Sequence, residues 1–344
     1  MPFRYVWNKA DLGTDRGERV TLYSNGYDHA RLISRVLTLY YQQGLNQKEI
    51  AESLGMSIAK VNRLLKLARQ QGWVEITIRT PFQNLFDLEH QLQVISGVPE
   101  AVVIPRLTDD PEGTLQAVGR AAANYLVQHL RDGDTICISG GKALFAISQA
   151  LEPRRRYDVR VVPATGGVQG RHYTDVNHLA TQIAERLGGK AYQLHAPIFV
   201  DTPEERAALM AVRQIREVLD MARQAQIALV GVGSVASQSA SYFDLAQLNE
   251  DEKKQFINQG CGAGEILAWV YGNDGEPCAA GYNQRVIGLT LEELRSIPLT
   301  IGVAATAEKI VPIYGALRGK YLKTIITDET AALGVLHHYQ RGGP

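Results

Sequence analysis

Cysteine is scarce in this sequence, and its placement excludes two kinds of protein. The three cysteines, Cys137, Cys261 and Cys278, are odd in number and lie far apart, and no CxxC pair occurs. A disulfide framework and a cysteine-based zinc site are therefore not expected, and we predict that the chain holds no metal. The cysteine content fits a reducing compartment, which favours the cytoplasm.

Long apolar runs are also lacking. No stretch approaches about 18 uninterrupted apolar residues, so we expect no membrane span and no membrane partner. The first twenty residues, MPFRYVWNKADLGTDRGERV, contain no apolar core of a signal peptide. With 45% hydrophobic and 21% charged residues, the composition is that of a globular protein, and 344 residues predict roughly two domains.

The chain has no formal net charge, because 36 basic residues balance 36 acidic residues. The balance is uneven along the chain, since residues 31–71 carry seven Lys or Arg against two Glu. A basic segment in a neutral chain favours local contact with a polyanion, although a solvated helix surface has the same composition.

Within this basic segment, residues 45–71 read LNQKEIAESLGMSIAKVNRLLKLARQQ and predict two short helices joined by a tight turn. Asn46 can cap the first helix, with Glu49 three residues later as a capping box requires. Gly55 can adopt the positive φ of the turn, and Ser57 can cap the second helix. The pattern is that of a helix-turn-helix, whose second helix fits the DNA major groove; a plain helical hairpin is the alternative.

The second of these helices has an apolar inner face and a polar outer face. Lys60 or Arg63 can donate to guanine and Asn62 can read adenine, whereas basic side chains such as Arg69 suit phosphates. The predicted contacts to double-stranded operator DNA are Gln47, Lys48, Ser57, Ala59, Lys60, Asn62, Arg63 and Lys66.

The sequence predicts four segments along the chain. Residues 1–27 are polar with no sustained period, which indicates a flexible arm. Residues 28–80 form the helix-turn-helix domain, closed by a strand over the alternating residues 73–79. Residues 81–98 form a connecting helix, and residues 99–344 form an effector-binding and oligomerisation domain.

In residues 99–344, short β-rich runs alternate with helix-length segments. This alternation predicts an α/β fold with a doubly wound, mainly parallel sheet. The predicted strands are 101–104, 135–139, 159–163, 227–232, 299–303 and 324–327. The predicted helices are 114–131, 143–151, 175–187, 206–223 and 307–318.

Three glycine-rich turns follow predicted strands: Ser139-Gly140-Gly141-Lys142, Thr165-Gly166-Gly167 and Gly231-Val232-Gly233-Ser234. Turns at the carboxyl ends of parallel strands line the ligand crevice of an open sheet, and glycine lets backbone N–H groups approach an anion or a sugar hydroxyl. An ordinary strand-to-helix connector is the alternative for each turn. None of the turns fits GxGxxG, so we expect no nicotinamide and predict no cofactor.

The stretch LYYQQGLNQKEIAESLGMSIAKVNRLLKLARQQGWVEITI resembles the DNA-binding domain of the SorC family of sugar-responsive regulators. VNHLATQIAERLGGKAYQLHAP, GAGEILAWVYGNDGEP and AEKIVPIYGALRGKYLKTIITDETAALGVL are similar to its sensor domain, which itself resembles sugar-phosphate isomerases and deaminases. The resemblance implies a transcription regulator whose operator binding responds to a bound sugar. It leaves activator and repressor both open.

The same resemblance implies a ligand held by the first two glycine turns, a carboxylate and a late lysine. With the third turn added, the predicted ligand contacts are Ser139, Gly140, Gly141, Lys142, Thr165, Gly166, Gly167, Asp175, Asn177, Gly231, Gly233, Ser234, Glu265 and Lys309. Some phosphosugar-binding members carry Thr and Arg where this chain has Lys142 and Thr165. A sugar, a polyol and a sugar phosphate therefore all remain open as effectors.

Two further departures from the family lie on functional surfaces. Ile58 stands where the family usually has a polar or basic residue and Asn62 where it has Ser, so the operator sequence is not predicted. Ala305-Thr306 replaces a pair of glycines before the late lysine.

An isomerase or deaminase with a helical appendage is the alternative function. Such catalysis needs an acid or base beside the sugar, but Ser234-Val235-Ala236-Ser237 offers none in the third turn. We therefore predict a regulator and not an enzyme. The expected partners are double-stranded operator DNA, a small-molecule effector and further copies of the chain in a dimer or tetramer.

Overall fold

The chain forms two compact units, Met1–Thr80 and Pro81–Pro344. The division falls where the sequence predicted the helix-turn-helix domain to end. The computed structural model describes residues 19–75, 80–168, 174–235, 254 and 262–342.

The first unit is helical. Helix α1 spans Arg19–Leu37 and continues as one π-helical turn, Thr38–Gln42; α2 spans Gln47–Leu54, and α3 spans Ile58–Gln70. All three helices contribute to one core, because each presents apolar side chains to the others. The buried members of this core are Ile33, Val36, Ile50, Ala51, Val61, Leu64, Leu65 and Ala68.

Two predictions for this unit need correction. The predicted arm over 1–27 overlaps α1, which is already helical at Arg19, and residues 1–18 lie outside the described residues. Gly26 is a weak helix former, which hid the start of this helix from the sequence pattern. The strand predicted over 73–79 is not formed at its start, because Trp73 N donates to Ala68 O (2.9 Å) as part of the end of α3. Residues 76–79 lie outside the described residues.

The second unit alternates strands and helices. Its strands are β1 Glu100–Ile104, β2 Thr135–Ile138, β3 Arg160–Pro163, β4 Lys190–Ala191, β5 Ile227–Gly231, β6 Gly264–Ile266, β7 Trp269–Tyr271, β8 Leu299–Val303 and β9 Thr324–Asp328. Its helices are α4 Gln83–Ser96, α5 Pro111–His129, α6 Lys142–Ala150, α7 Val176–Leu187, α8 Pro203–Ala211, α9 Arg213–Arg223, α10 Ala280–Asn283, α11 Leu291–Arg295, α12 Ile310–Arg318 and α13 Glu329–Gln340. A 3₁₀ turn, Ala307–Lys309, precedes α12.

Among the described residues, seven strands form one sheet in the order β1-β9-β8-β5-β2-β3-β4, and all neighbouring pairs are parallel. Strands β3 and β4 extend the sheet from β2 to one side, whereas β8 and β9 extend it from β5 to the other. The order therefore reverses between β2 and β5. Strands β6 and β7 form a separate antiparallel hairpin.

Helices cover both faces of this sheet. In β2, Ile136 and Ile138 point to a core shared with α5, α6 and α7, whereas Cys137 points to a core shared with α4, α9, α12 and α13. Residues of β5 alternate in the same way, because successive side chains of a strand point to opposite faces. The predicted α/β class with a doubly wound, mainly parallel sheet is confirmed.

Two helix predictions differ from the structure. The helix predicted to connect the domains, 81–98, belongs to the second unit as α4, since Leu85, Leu88 and Leu92 are buried in its core. The single helix predicted over 206–223 is two helices, α8 and α9. The break falls at Val212, which has extended backbone (ψ 124°), because α8 buries no side chain whereas α9 packs on the sheet.

The cysteines that the structure describes are free thiols. Cys137 is buried in the sheet, and burial raises the pKa of its thiol to about 12, which keeps it protonated. Cys278 is partly exposed, and Cys261 lies outside the described residues. None of the described helices combines the length and the hydropathy that a bilayer span requires.

Candidate DNA-binding surface and effector site

The turn between α2 and α3 is built as the sequence predicted. The Asn46 Oδ1 atom accepts hydrogen bonds from Lys48 N and Glu49 N (both 3.0 Å), and Asn46 N donates to Glu49 Oε2 (2.7 Å). Gly55 has φ +63°, and Ser57 Oγ accepts from Lys60 N (3.3 Å). These caps hold both helices of the predicted helix-turn-helix in place.

Helix α3 buries Val61, Leu64, Leu65 and Ala68 and exposes its opposite face. The predicted DNA contacts are exposed residues of α3 and its cap, together with Lys48 on α2; the exception is Gln47 at the start of α2, which is half-buried. The exposed residues are Lys48, Ser57, Ala59, Lys60, Asn62, Arg63 and Lys66.

One residue suggested for phosphate contact has an internal partner. The Arg69 Nε atom donates to the Tyr41 hydroxyl (2.8 Å), and the guanidinium lies 5.9 Å from the centre of the Tyr41 ring. Tyr41 thus orients Arg69 from the π-helical turn, a link that no sequence pattern indicated.

A cavity of about 1310 Å³ opens at the carboxyl ends of β2, β5 and β8. It lies where the strand order reverses between β2 and β5, the place at which open parallel sheets bind ligands. The predicted ligand residues on its wall are Ser139, Gly140, Gly141, Lys142, Thr165, Gly166, Gly231, Gly233, Ser234, Glu265 and Lys309. The structure does not bring Gly167, Asp175 and Asn177 to this wall.

The first and third glycine turns are joined to each other. Gly231 N donates to Ser139 Oγ (3.0 Å), and this buried hydroxyl donates to Gly140 O (3.0 Å). Gly141 N donates to Thr174 O (2.9 Å), and a Cβ on Gly140 would lie 2.8 Å from the same oxygen. The Ser139 hydroxyl and the Gly141 amide therefore fix the shape of the cavity floor.

The second glycine turn uses its amides internally. Gly166 N donates to Ile287 O and Gly167 N to Ala196 O, each at 2.9 Å. A Cβ on Gly166 would lie 2.1 Å from Pro197 O, so glycine is required there by close packing. The expectation that these two amides face an anion is wrong, because both are already paired with backbone carbonyls.

Asp175 and Asn177 support the second turn from behind. The Asp175 carboxylate caps α7 by accepting from Asn177 N (2.9 Å) and His178 N (3.2 Å), and its other oxygen accepts from Val168 N (2.9 Å). The Asn177 side chain exchanges two hydrogen bonds with the backbone of Leu194. Their predicted ligand contacts are replaced by these structural bonds.

Glu265 is held tightly against the third glycine turn. Its backbone exchanges hydrogen bonds with Gly233 (2.9 and 3.0 Å), and its Oε1 lies where a Cβ on Gly233 would be, only 1.8 Å away. Ala268 N donates to Glu265 Oε2 (2.9 Å). Burial raises the pKa of this carboxyl, while the Ala268 hydrogen bond and the charge of Lys309 act in the opposite direction.

Lys309 ends the 3₁₀ turn and lines the same cavity. Burial lowers the pKa of its ammonium group, Glu265 and Glu308 act to raise it, and Lys142 acts to lower it further. Two lysines and one enclosed carboxylate therefore face the same cavity. Such a set can accept from and donate to hydroxyls and can also neutralise an anionic group.

Sequence reasoning missed several features on and behind this wall. Leu267 and Ala268 join β6 to β7 with positive φ (54° and 64°), and Thr306 has φ +84°. Asp328 caps α13, and its carboxylate also accepts from Thr306 N and so anchors the Lys309 turn. Asp328 directly follows a β-rich run, and this position was the sequence feature from which its role could have been predicted. Side chains of α5, among them Arg120, extend the wall outward.

Comparison with known proteins covers both units. A family model of sugar-binding domains matches residues 80–337, and a model of region 4 of sigma-70 factors matches residues 34–71. The deoxyribonucleoside regulator of Bacillus subtilis is 32% identical, over 87% of this chain and 95% of its own length. The sorbitol operon regulator of Klebsiella pneumoniae is 31% identical, over 89% of this chain and 98% of its own.

The crystal structure of the full-length sorbitol operon regulator SorC from Klebsiella pneumoniae has the same fold. Its TM-score is 0.70 at 29% identity, and the match covers 89% of this chain and 98% of that chain. These relatives are transcription regulators, so the isomerase or deaminase alternative has no support among them.

Proposed function

The chain belongs to the SorC family of sugar-binding transcription regulators, and we propose that the cavity at the β2–β5 reversal is where its effector binds. The observation that carries this proposal is that Glu265 and Lys309, whose charges interact, both line a cavity floored by glycine turns. Polar groups converging in a large cavity at a strand-order reversal are what a sugar site requires.

We propose a sugar, a polyol or a sugar phosphate as the effector class. The Glu265 carboxylate is the acceptor for hydroxyl groups, and its hydrogen bond from Ala268 N fixes its orientation. Lys142 and Lys309 are the candidate anion contacts, each acting as a point charge. Thr165 offers a hydroxyl where an arginine would clamp a phosphate with two hydrogen bonds.

A thermal-shift screen of the full chain against sugars, polyols and their phosphates tests this proposal. A ligand well above its Kd raises the melting temperature by mass action. A phosphorylated hit assigns the anion to Lys142 and Lys309, whereas a free polyol alone favours Glu265. No shift with any member of the panel at millimolar concentration would contradict a sugar-type effector.

Two glycine variants locate the hit. Gly233→Ala drives a Cβ into the Glu265 carboxylate, so the stabilisation by the hit should be lost. Gly262→Ala is the matched control, since no atom of the described residues lies within 4 Å of its added Cβ, and that variant should keep the shift. Equal shifts in both variants would place the effector elsewhere.

DNA binding is the role of the first unit, and we propose that α3 enters the major groove of operator DNA. Arg63, Lys60 and Asn62 are the proposed base contacts, while Lys48, Lys66 and the N-terminus of α3 contact phosphates. The exposure of all of these side chains beside a buried inner face supports this assignment. A regulator with this role works where the chromosome is, so we propose the cytoplasm as its location.

We also propose that the chain self-associates, because helix-turn-helix proteins read paired half-sites as dimers. Helix α4 follows the DNA-binding unit directly and leaves Phe86 (49% exposed) and Val94 (71% exposed) outside the core. Leu333 (53% exposed) lies on α13, which packs beside α4. A second copy is the proposed occupant of this apolar face, since α4 begins close in sequence to the end of the DNA-binding unit.

A further inference from the structure

The first turn of α3 carries an unexpected side chain. Ile58 is 46% exposed and is not part of the apolar core that α1, α2 and α3 share. Along α2 and α3, both fully described, it is the large apolar side chain that remains exposed. Single exposed aliphatic residues are common on protein surfaces, so exposure alone would mean little here.

The position of Ile58 gives its exposure a meaning. In a helix-turn-helix, the N-terminal residues of the second helix contact base edges in the major groove. Ser57 caps α3 immediately before Ile58, which places Ile58 at the first helical position. Ala59 and Lys60, the next two residues, are exposed as well.

The chemistry of Ile58 limits what it can read. An aliphatic side chain cannot donate to guanine or accept from cytosine, and a phosphate offers it nothing. The apolar group in the major groove is the 5-methyl group of thymine. Asn62 lies one helical turn later, on the same side as Ile58 at a spacing of four, and its amide is suited to adenine.

We propose that Ile58 is a specificity-determining residue of the operator contact and reads a thymine 5-methyl group in each half-site. The proposal rests on the assignment of α3 to the major groove. Ile58 and Asn62 together then favour an A·T pair or two adjacent A·T pairs, with Asn62 on adenine and Ile58 on thymine. Lys60, Arg63 and Lys66 supply the remaining base and phosphate contacts.

The test begins with operators selected from random duplex DNA by the purified full-length chain. Each thymine of the selected half-site is then replaced by deoxyuridine, which pairs identically but lacks the 5-methyl group. At one thymine position, the deoxyuridine replacement should weaken wild-type DNA binding about fourfold per half-site, which is the loss expected for one buried methyl group. The same replacement outside the half-site should change nothing.

Ile58→Ala is the coupled variant. It should bind the thymine operator about as weakly as wild type binds the deoxyuridine operator, and removing the methyl group should then cost it nothing further. Ile58→Val removes only the δ-methyl group and keeps both γ carbons, so it should retain part of the discrimination. Because Ile58 is exposed and outside the core, both variants should melt within a degree or two of wild type.

Two results would overturn the proposal: no thymine position with a methyl-dependent loss, or a loss that persists undiminished in Ile58→Ala. Failure of the underlying assignment looks different. If the chain selects no sequence, or if Arg63→Ala leaves DNA affinity unchanged, then α3 is not the DNA-reading helix, and Ile58 has no base to read.

Discussion

At the scale of single residues, two carboxylates of this chain support the fold and a third is the proposed contact to the effector. Asp175 and Asp328 each accept hydrogen bonds from three backbone N–H groups. Each caps a helix and also holds a turn beside the cavity, so their oxygens stabilise the fold. Among the described residues, Glu265 accepts one backbone N–H, from Ala268, and it lines the cavity. The number of backbone donors at each carboxylate therefore separates scaffold from site.

Asp175→Ala tests that division by stability. The variant loses the α7 cap and leaves Val168 N without its acceptor, so unfolding free energy should fall by about 2 kcal/mol. Asp110→Ala is the control: Asp110 caps α5 through Glu112 N and Gly113 N and, within the described part of the chain, bonds no distant loop, so about 1 kcal/mol is expected. Urea unfolding of both variants compares them, and an equal loss would remove the supporting role of Asp175.

Lys309 gives a pH-dependent prediction. Burial holds the pKa of its ammonium below the value of an unfolded lysine, about 10.4. As pH rises from the lowered folded pKa towards that value, the unfolded chain binds more protons than the folded one, so stability rises with pH.

Lys309→Met should remove this alkaline gain. Unfolding free energies measured from pH 8 to pH 10.5 should rise in wild type relative to Lys309→Met across that window. Lys190→Met, at an exposed position on β4, controls for the loss of a positive charge. If the difference in unfolding free energy between wild type and Lys309→Met does not change with pH, then the ammonium group of Lys309 is not desolvated in the folded protein.

At the scale of elements, the sequence pattern predicted the alternating strands and helices of the second unit. It missed the features that depend on packing against distant parts of the chain. The six strands predicted in the second unit have observed counterparts, because their apolar side chains are buried in the two cores of the sheet. Residues 206–223 have one continuous helical period and were predicted as one helix, yet only the part that forms α9 packs on the sheet. Strand β4 is two residues long and exposed, so no apolar run marks it.

The candidate site was predictable in outline only. Glycine turns after strands predicted the cavity floor, and the resemblance implied Glu265 and Lys309. The roles of Gly167, Asp175 and Asn177 depend on partners at Ala196, Val168 and Leu194, and no local pattern shows which distant backbone atom a polar group meets.

The apolar face of α4 yields a prediction at this scale. Phe86→Glu combined with Val94→Glu places two charges in the proposed contact between copies and should convert the oligomer into a monomer. Size-exclusion chromatography with light scattering measures the mass. Leu107→Glu is the control, because Leu107 is 73% exposed and lies in the loop after β1. An unchanged mass in the double variant would exclude this face as the interface.

At the scale of the whole molecule, the chain carries two binding functions in two compact units. An effector can alter DNA binding only through a difference in its affinity for two arrangements of the protein, and the coupling acts equally in both directions. The sign of the coupling decides between activator and repressor, and either sign requires the cavity and α3 to be linked energetically.

The measurement that tests this central claim most directly is the operator affinity of the full chain, followed by fluorescence anisotropy with and without the saturating effector. Wild type should change its Kd for DNA at least about fivefold in either direction. Glu265→Ala should bind DNA like effector-free wild type and ignore the effector, whereas Arg63→Ala should bind effector normally and lose the operator. An operator affinity that is identical with and without a bound effector would contradict the account.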